Sequence, residues 1–320
     1  MKTLFFLMVL PACTGGTSIH FDKAPLLILG REAGDAEPMF WGPRDIVISK
    51  SGLIYVLDTK ASKIIKLSFT GEKLAEFSQM GSGPGELKGA SALGFFGNEL
   101  WVVDKGNGRI VVFQDDKYLR MFKLENEHVP EYMVIRGDHA YFSSKTFGGD
   151  FGNGGIGVYD QAGTRLRQLV WGKGRNKMFG ETVGLWNSSR MTGLGSNRFL
   201  IGFIHDNALA ILDDDGNVIT DKDMSGFYER YSRKASNGDN FPLGYSAMAF
   251  SEGPGATILV ATCDFKTKTC GQIQQFSPDL KGRVRKYDLG FTVLHLEYFA
   301  DHGFLVLFNN LGEVIFYDTE

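Results

Sequence analysis

Leu100-Trp-Val-Val-Asp104, then Lys105-Gly-Asn-Gly-Arg109, then Ile110-Val-Val-Phe113 sets two apolar runs on either side of a turn. Each run has strand length and is rich in β-branched and aromatic residues. Asn107 and Gly108 between them suit a backbone that turns with φ > 0. The pattern recurs. Leu53-Ile-Tyr-Val-Leu-Asp58 precedes Lys63-Ile-Ile-Lys-Leu67, and Ala140-Tyr-Phe-Ser-Ser144 precedes Gly157-Val-Tyr-Asp160. Phe199-Leu-Ile-Gly-Phe203 precedes Leu209-Ala-Ile-Leu-Asp213, and Ile258-Leu-Val-Ala-Thr262 precedes Gln272-Ile-Gln-Gln-Phe276. Phe304-Leu-Val-Leu-Phe308 precedes Glu313-Val-Ile-Phe-Tyr-Asp318.

The equivalent positions are Asp58, Asp104, Ser144, Phe203, Thr262 and Phe308, about 50 residues apart on average. A further short run and a turn precede each pair, so one unit reads strand, turn, strand, loop, strand, turn, strand. Six four-stranded antiparallel units at that spacing predict an all-β, six-bladed β-propeller over residues 24–320. The sixth unit stops at Glu320 without a fourth strand. Ala24-Pro-Leu-Leu-Ile-Leu-Gly30 is apolar and extended in type, and is expected to supply it, closing the ring and hiding a sheet edge. The 41 glycines fit the turns, and 43% apolar residues fill a core without difficulty. A net charge of −3 gives no global attraction to nucleic acid.

On these residues the chain resembles the six-bladed propeller lipoproteins of the TolB-like and NHL-repeat-like group. Leu100–Phe113 is similar to the NHL-type strand–turn–strand signature, and Gly81-Ser-Gly-Pro-Gly-Glu86 to a loop found after the first blade in that group. The motif match covers the first two blades; blades three to five have longer loops and degenerate turns. The resemblance implies an exported, lipid-anchored propeller and carries no agreed catalytic residues.

The amino terminus agrees with export. Lys2, the apolar Leu4-Phe-Phe-Leu-Met-Val-Leu10 and Pro11-Ala12-Cys13 read as a signal segment, 1–12, ending at a lipobox-like cysteine. The apolar run is far too short to span a bilayer. Cys13 is the expected lipidation site, and 13–23 the lipidated residue and its tether. The expected location is the bacterial cell envelope, at the outer membrane or cell surface, with a lipid anchor as the only membrane contact. Cys263 and Cys270 flank Asp264–Thr269, which reads as a hairpin loop within disulfide reach.

Several motifs reduce to structure. Asp58 and Asp104 suit carboxylates that accept hydrogen bonds from turn N–H groups. Gly152–Gly157 fits G-x-G-x-x-G but leads into a strand, so the phosphate-binding helix N-terminus is missing. Asp213-Asp-Asp-Gly-Asn217 fails the calcium-loop alignment and reads as a hairpin turn. The six histidines show no metal-protease spacing, and no cofactor is expected, although a divalent metal gathered at the axis from several blades stays open.

Two long insertions, from Trp171 to Trp186 and from Asp223 to Tyr245, mix aromatics with Arg and Lys. With second-to-third-strand loops they nominate Arg109, Arg175, Trp186, His205, Tyr228, Arg230 and Tyr231 as a ligand rim. Two functions follow. One is a monomeric, non-catalytic binding or scaffold protein whose rim holds an envelope protein or a glycan. The other is a propeller hydrolase or lyase, lactonase-like, with a metal or an acid/base set at the axial opening. Carboxylates or histidines from different blades converging at the axis favour the enzyme; a bare axis under an aromatic, basic rim favours binding.

Overall fold

The computed structural model describes residues 19, 21–30, 38–124, 130–144, 155–170, 189–203, 208–224, 232–234, 240–242, 247–264 and 269–319. Six four-stranded antiparallel sheets form an all-β six-bladed propeller, as the repeat predicts. From axis to rim, blade 1 runs Pro43–Ile48, Ile54–Asp58, Lys63–Leu67, Lys73–Phe77, and blade 2 runs Ala92–Phe96, Glu99–Asp104, Arg109–Gln114, Lys117–Phe122. Blade 3 is Pro130–Arg136, His139–Ser144, Gly155–Tyr159, Arg165–Val170, and blade 4 is Ser189–Leu194, Arg198–Phe203, Ala208–Asp213, Val218–Asp223. Blade 5 is Ala247–Glu252, Ile258–Asp264, Thr269–Phe276, Arg283–Asp288.

Blade 6 has three strands of its own, Val293–Phe299, Phe304–Asn309 and Val314–Asp318, and takes its outermost strand, Leu27–Leu29, from the amino-terminal side. Leu27 faces Phe316 and Leu29 faces Val314, and the Leu26 N–H donates to the Phe316 carbonyl at 2.8 Å. Upstream, Ile19 is buried between blades 5 and 6, where Phe21 sets its ring edge-on to Tyr287 and Tyr317. The amino-terminal segment therefore welds the last blade to the body. A further hairpin, Ser232–Lys234 with Asn240–Pro242, lies in the second long insertion.

The continuous apolar runs are the middle strands. Ile54–Asp58 and Phe304–Asn309 are buried throughout, because each lies inside its sheet and is covered on both faces by neighbouring blades. Outer strands such as Arg283–Asp288 are mostly exposed and carry the charge. Six apolar clusters result, one at each blade–blade interface, including that between blades 6 and 1.

The aspartates at the ends of second strands bind turns. Asp58 accepts from the N–H groups of Trp41, Gly42 and Ala61, and Asp104 accepts from the Lys88 N–H. In blade 6 the strand register makes Asn309 the counterpart of Asp58, one residue beyond the expected Phe308. Asn309 does the same work, accepting from Leu311 and Glu313 N–H. The apolar run ends at Phe308, so hydrophobicity alone places the boundary one residue early. Asp213 accepts from the N–H groups of Asp215 and Asn217, and Gly216 (φ 85°) completes that turn.

Candidate functional site

The six innermost strands ring the axis, and the register decides which residues share a level. Asp45, Ala92, Tyr132, Arg190, Ala249 and His295 each pair with the corresponding residue of the next strand, from Leu57 in blade 1 to Phe308 in blade 6. All six line one cavity of about 420 Å³ at the axis. That is room for a small molecule. In blades 1, 3, 5 and 6 a β-bulge precedes this level, as between Pro43 and Asp45 or Val293 and His295. Bulges of this kind re-aim side chains at the rims of β structures and beside active sites. Ala92 and Ala249 are buried in the apolar clusters between blades 2 and 3 and between blades 5 and 6.

The polar members belong to adjacent blades. His295 Nε2 lies 3.7 Å from Asp45 Oδ1, and the imidazole packs against Phe308, the rings tilted by 31° with centroids 4.7 Å apart. Asp45 is fixed by the N–H groups of Leu93 (2.8 Å) and Ile46 (3.1 Å). Burial still pushes its carboxyl up to about 6. Burial, followed by the charges of Arg190 and Arg44, holds His295 down at about 3, so the ring is neutral at ordinary pH. Glu297, two residues further along the same strand, is pushed up to about 8 by burial and by the charges of Asp45 and Glu252. At pH 7 the cavity thus holds an ionised Asp45, a protonated Glu297 and a neutral His295.

Arginines complete the lining. Arg136 donates to Asp214 and to the Arg198 carbonyl, and its guanidinium lies over Phe199. Arg44 lies 3.6 Å from Glu131. Arg190 rests over the Tyr132 ring at 5.5 Å, and its Nη1 is buried without a hydrogen-bond partner. His295 Nε2 is unpartnered in the same way. Among the described residues no group of three or more His, Cys, Asp or Glu side chains is arranged to hold a metal ion.

Arg109, proposed for the rim from sequence, is turned inward. Its Nε donates to Asp104 at 2.8 Å, and its Nη atoms donate to the carbonyls of Ser82, Gly83 and Glu86. Glu86 in turn accepts from the Gly83 N–H, and Asn107 donates to the Gly81 carbonyl. The two motifs behind the family resemblance are therefore one unit: the Gly81–Glu86 loop is clamped onto the turn of blade 2. Cys270 is disulfide-bonded; the side chain of Cys263 lies outside the described residues. Cys13, Arg175, Trp186, His205, Tyr228, Arg230 and Tyr231 also lie outside them.

No model of a known protein family matches the chain. One stretch of 107 residues is 32% identical to the peptidylglycine alpha-amidating monooxygenase of Rattus norvegicus, covering 30% of this chain and 11% of that protein. The chain thus matches about a tenth of the relative's length. Among solved structures it is similar to a catalytically inactive His-to-Ala variant of virginiamycin B lyase from Staphylococcus aureus with quinupristin. That match has 13% identity, covers 91% of this chain and 99% of that one, and has a TM-score of 0.57. It is also similar to a streptogramin B lyase (13%, 92% and 87%, 0.53) and to the WD40 repeats of RRP9 (13%, 93% and 99%, 0.60). At such identities the likeness is one of fold: the chain is a β-propeller shared in shape by lyases and by WD40 domains.

Proposed function

We propose that this chain is an exported, lipid-anchored propeller whose axial cavity performs proton-transfer chemistry, an elimination or a hydrolysis, on a small molecule. The observation that carries this reading is the convergence of Asp45 and His295 from blades 1 and 6, 3.7 Å apart at the axis, with Glu297 on the same strand as His295. The pKa order supports roles: Asp45 at about 6 is a base ionised at neutral pH, and Glu297 at about 8 is an acid still carrying its proton. In an elimination Asp45 takes a proton from carbon, and that C–H electron pair becomes the new double bond. The leaving group departs with its bonding electrons and takes the Glu297 proton. The N–H groups of Leu93 and Ile46 position the base, and His295 stands neutral beside it. Lyases with this fold lend the reading support by analogy alone.

The rim-binding reading rests on residues outside the described set, so the axial cavity has more behind it. Export and anchoring rest on residues 1–13 and on the resemblance to TolB-like and NHL-repeat-like lipoproteins, and a Cys263–Cys270 bond fits that address. The test is turnover by the purified domain of a panel of lactones, cyclic depsipeptides and β-substituted acids, beside Asp45→Asn and Glu297→Gln. Turnover of one class, bell-shaped in pH between about 6 and 8 and lost in both variants, is the expected result. Turnover by no panel member, or equal turnover by Asp45→Asn, overturns the catalytic reading and returns the protein to the binding class.

A further inference from the structure

We infer that the molecule taken by the axial cavity carries a carboxylate, and that Arg190 is the residue that seats it. The inference rests on the axial-site reading and deepens it by naming the ligand class.

Arg190 stands at the common level of the six inner strands and lines the cavity. Its guanidinium is a planar cation with five N–H donors and no acceptor. Its Nη1 is shut off from solvent and donates to nothing, and among the described residues it forms no ion pair. The other inner-strand arginines differ: Arg136 is held by Asp214 and the Arg198 carbonyl, and Arg44 faces Glu131. A buried charged donor left without an acceptor is costly, and an arriving anion relieves that cost.

The carboxylates already present do not fill the role. Both Asp45 oxygens are engaged by backbone N–H groups, and Glu252 accepts from the Gly195 N–H. Glu297 shares the cavity but is kept protonated by its surroundings.

The geometry selects the kind of anion. A guanidinium presents parallel N–H groups that match the two oxygens of a carboxylate. Tyr132 lies beneath the guanidinium, its ring centroid 5.5 Å from Cζ. A carboxylate brings one negative charge beside Asp45, where a phosphate dianion would bring two. The unpartnered His295 Nε2 in the same cavity offers a second polar contact for the ligand body.

The test is calorimetric titration of the full folded domain with 3-phenylpropanoate, with its amide 3-phenylpropanamide, and with inorganic phosphate. The expected result is that the carboxylate binds roughly tenfold to a hundredfold more tightly than the amide, and more tightly than phosphate. Arg190→Gln should lose that preference, while Arg190→Lys keeps part of it; melting curves show whether each variant is folded. Equal affinity for acid and amide, a preference that survives in folded Arg190→Gln, tighter binding of phosphate, or no binding of the acid at millimolar concentration overturns the inference. Asp45→Asn separates this from the catalytic reading. Carboxylate selectivity without turnover of any substrate sinks the chemistry and leaves the ligand class standing, and turnover of uncharged substrates alone does the reverse.

Discussion

Replacing Leu29 by Ala tests the ring closure directly. Leu29 is the last residue of the closing strand, 6% exposed, and belongs to the cluster shared by Ile54 and Val56 of blade 1 and Phe304 and Phe308 of blade 6. Its Cδ2 lies 2.5 Å from where a Cβ at Gly71 would stand, so it is seated against a glycine turn of blade 1. It therefore touches both sides of the seam. Buried Leu→Ala substitutions cost about 2–5 kcal/mol, and a strand at the edge of a sheet relaxes more than a central one, which points to ~2.5–3.5 kcal/mol. The corresponding fall in Tm is roughly 5–10 °C. Urea unfolding followed by tryptophan fluorescence should show one transition at a lower midpoint with an unchanged m-value, because loosening the seam destabilises both blades that meet there. Leu26→Ala, at a position 39% exposed, is the control and should cost under about 0.5 kcal/mol. Deletion of residues 19–32 should lower the midpoint further than Leu29→Ala. A loss below about 1 kcal/mol for Leu29→Ala, or a deletion that melts like the intact chain, would refute the reasoning.

Other consequences are open to measurement. Asp104→Ala leaves the Arg109 guanidinium, 7% exposed, without its carboxylate, and should cost about 3–5 kcal/mol in chemical denaturation; a loss under 1 kcal/mol would mean that the clamp on the Gly81–Glu86 loop is ornamental. Glu297 has a folded pKa near 8 against 4.5, so the folded chain keeps a proton that the unfolded chain releases, and stability falls as pH rises from about 4.5 to about 8. His295, held near 3, acts in the opposite sense between about 3 and 6.5, and Asp45 adds a fall between about 3.8 and 6. Above pH 6.5 Glu297 acts alone of the three, so Glu297→Gln should flatten the stability profile from pH 6.5 to 8 by roughly 1 kcal/mol, a modest figure because the carboxyl still meets cavity water. Parallel profiles for the two proteins would contradict a protonated Glu297. Cys13→Ala should shift the protein from the membrane to the soluble fraction of envelope extracts; continued membrane association would rule out the lipid anchor.

The propeller was legible because its middle strands leave continuous apolar runs at a regular interval, and burial on both faces makes such runs stand out from any background. The closing strand was legible for a complementary reason: a sixth unit with three strands and an unclaimed apolar segment near the amino terminus have one economical solution. The axial site was not legible. Its residues sit on the first strand of each unit, in Pro43-Arg-Asp-Ile-Val-Ile48, Pro130-Glu-Tyr-Met-Val-Ile-Arg136 and Val293-Leu-His-Leu-Glu-Tyr-Phe299, whose mixed, half-buried residues leave no continuous apolar run. Sequence reasoning looked for histidine on loops and named His205, whereas His295 lies inside a strand. A signal did exist: Asp45, Glu131, Arg190, His295 and Glu297 interrupt runs that should be apolar if they served the core alone. Aligning the six first strands by their bulges, rather than the second strands by their apolar runs, would have put Asp45, Tyr132, Arg190 and His295 in one column.

That column explains why the ring and the site belong together. Six equivalent strands brought round one axis must meet at equivalent positions, and identical large side chains there would either collide or fill the channel. An aspartate, a tyrosine, an arginine and a histidine line it, each anchored on a separate sheet that is packed on both sides. Side chains held this way keep their geometry without a ligand, which is the condition for proton transfer between fixed partners. The pKa values of Asp45 and Glu297 part because burial acts on both carboxyls, while the arginines draw Asp45 down and the charge of Asp45 drives Glu297 up. Loosening the seam at Leu29 should then bring both carboxyls of the folded chain back toward their ordinary values, measured by NMR titration of the side-chain carboxyls, which would tie the integrity of the ring to the chemistry proposed at its axis.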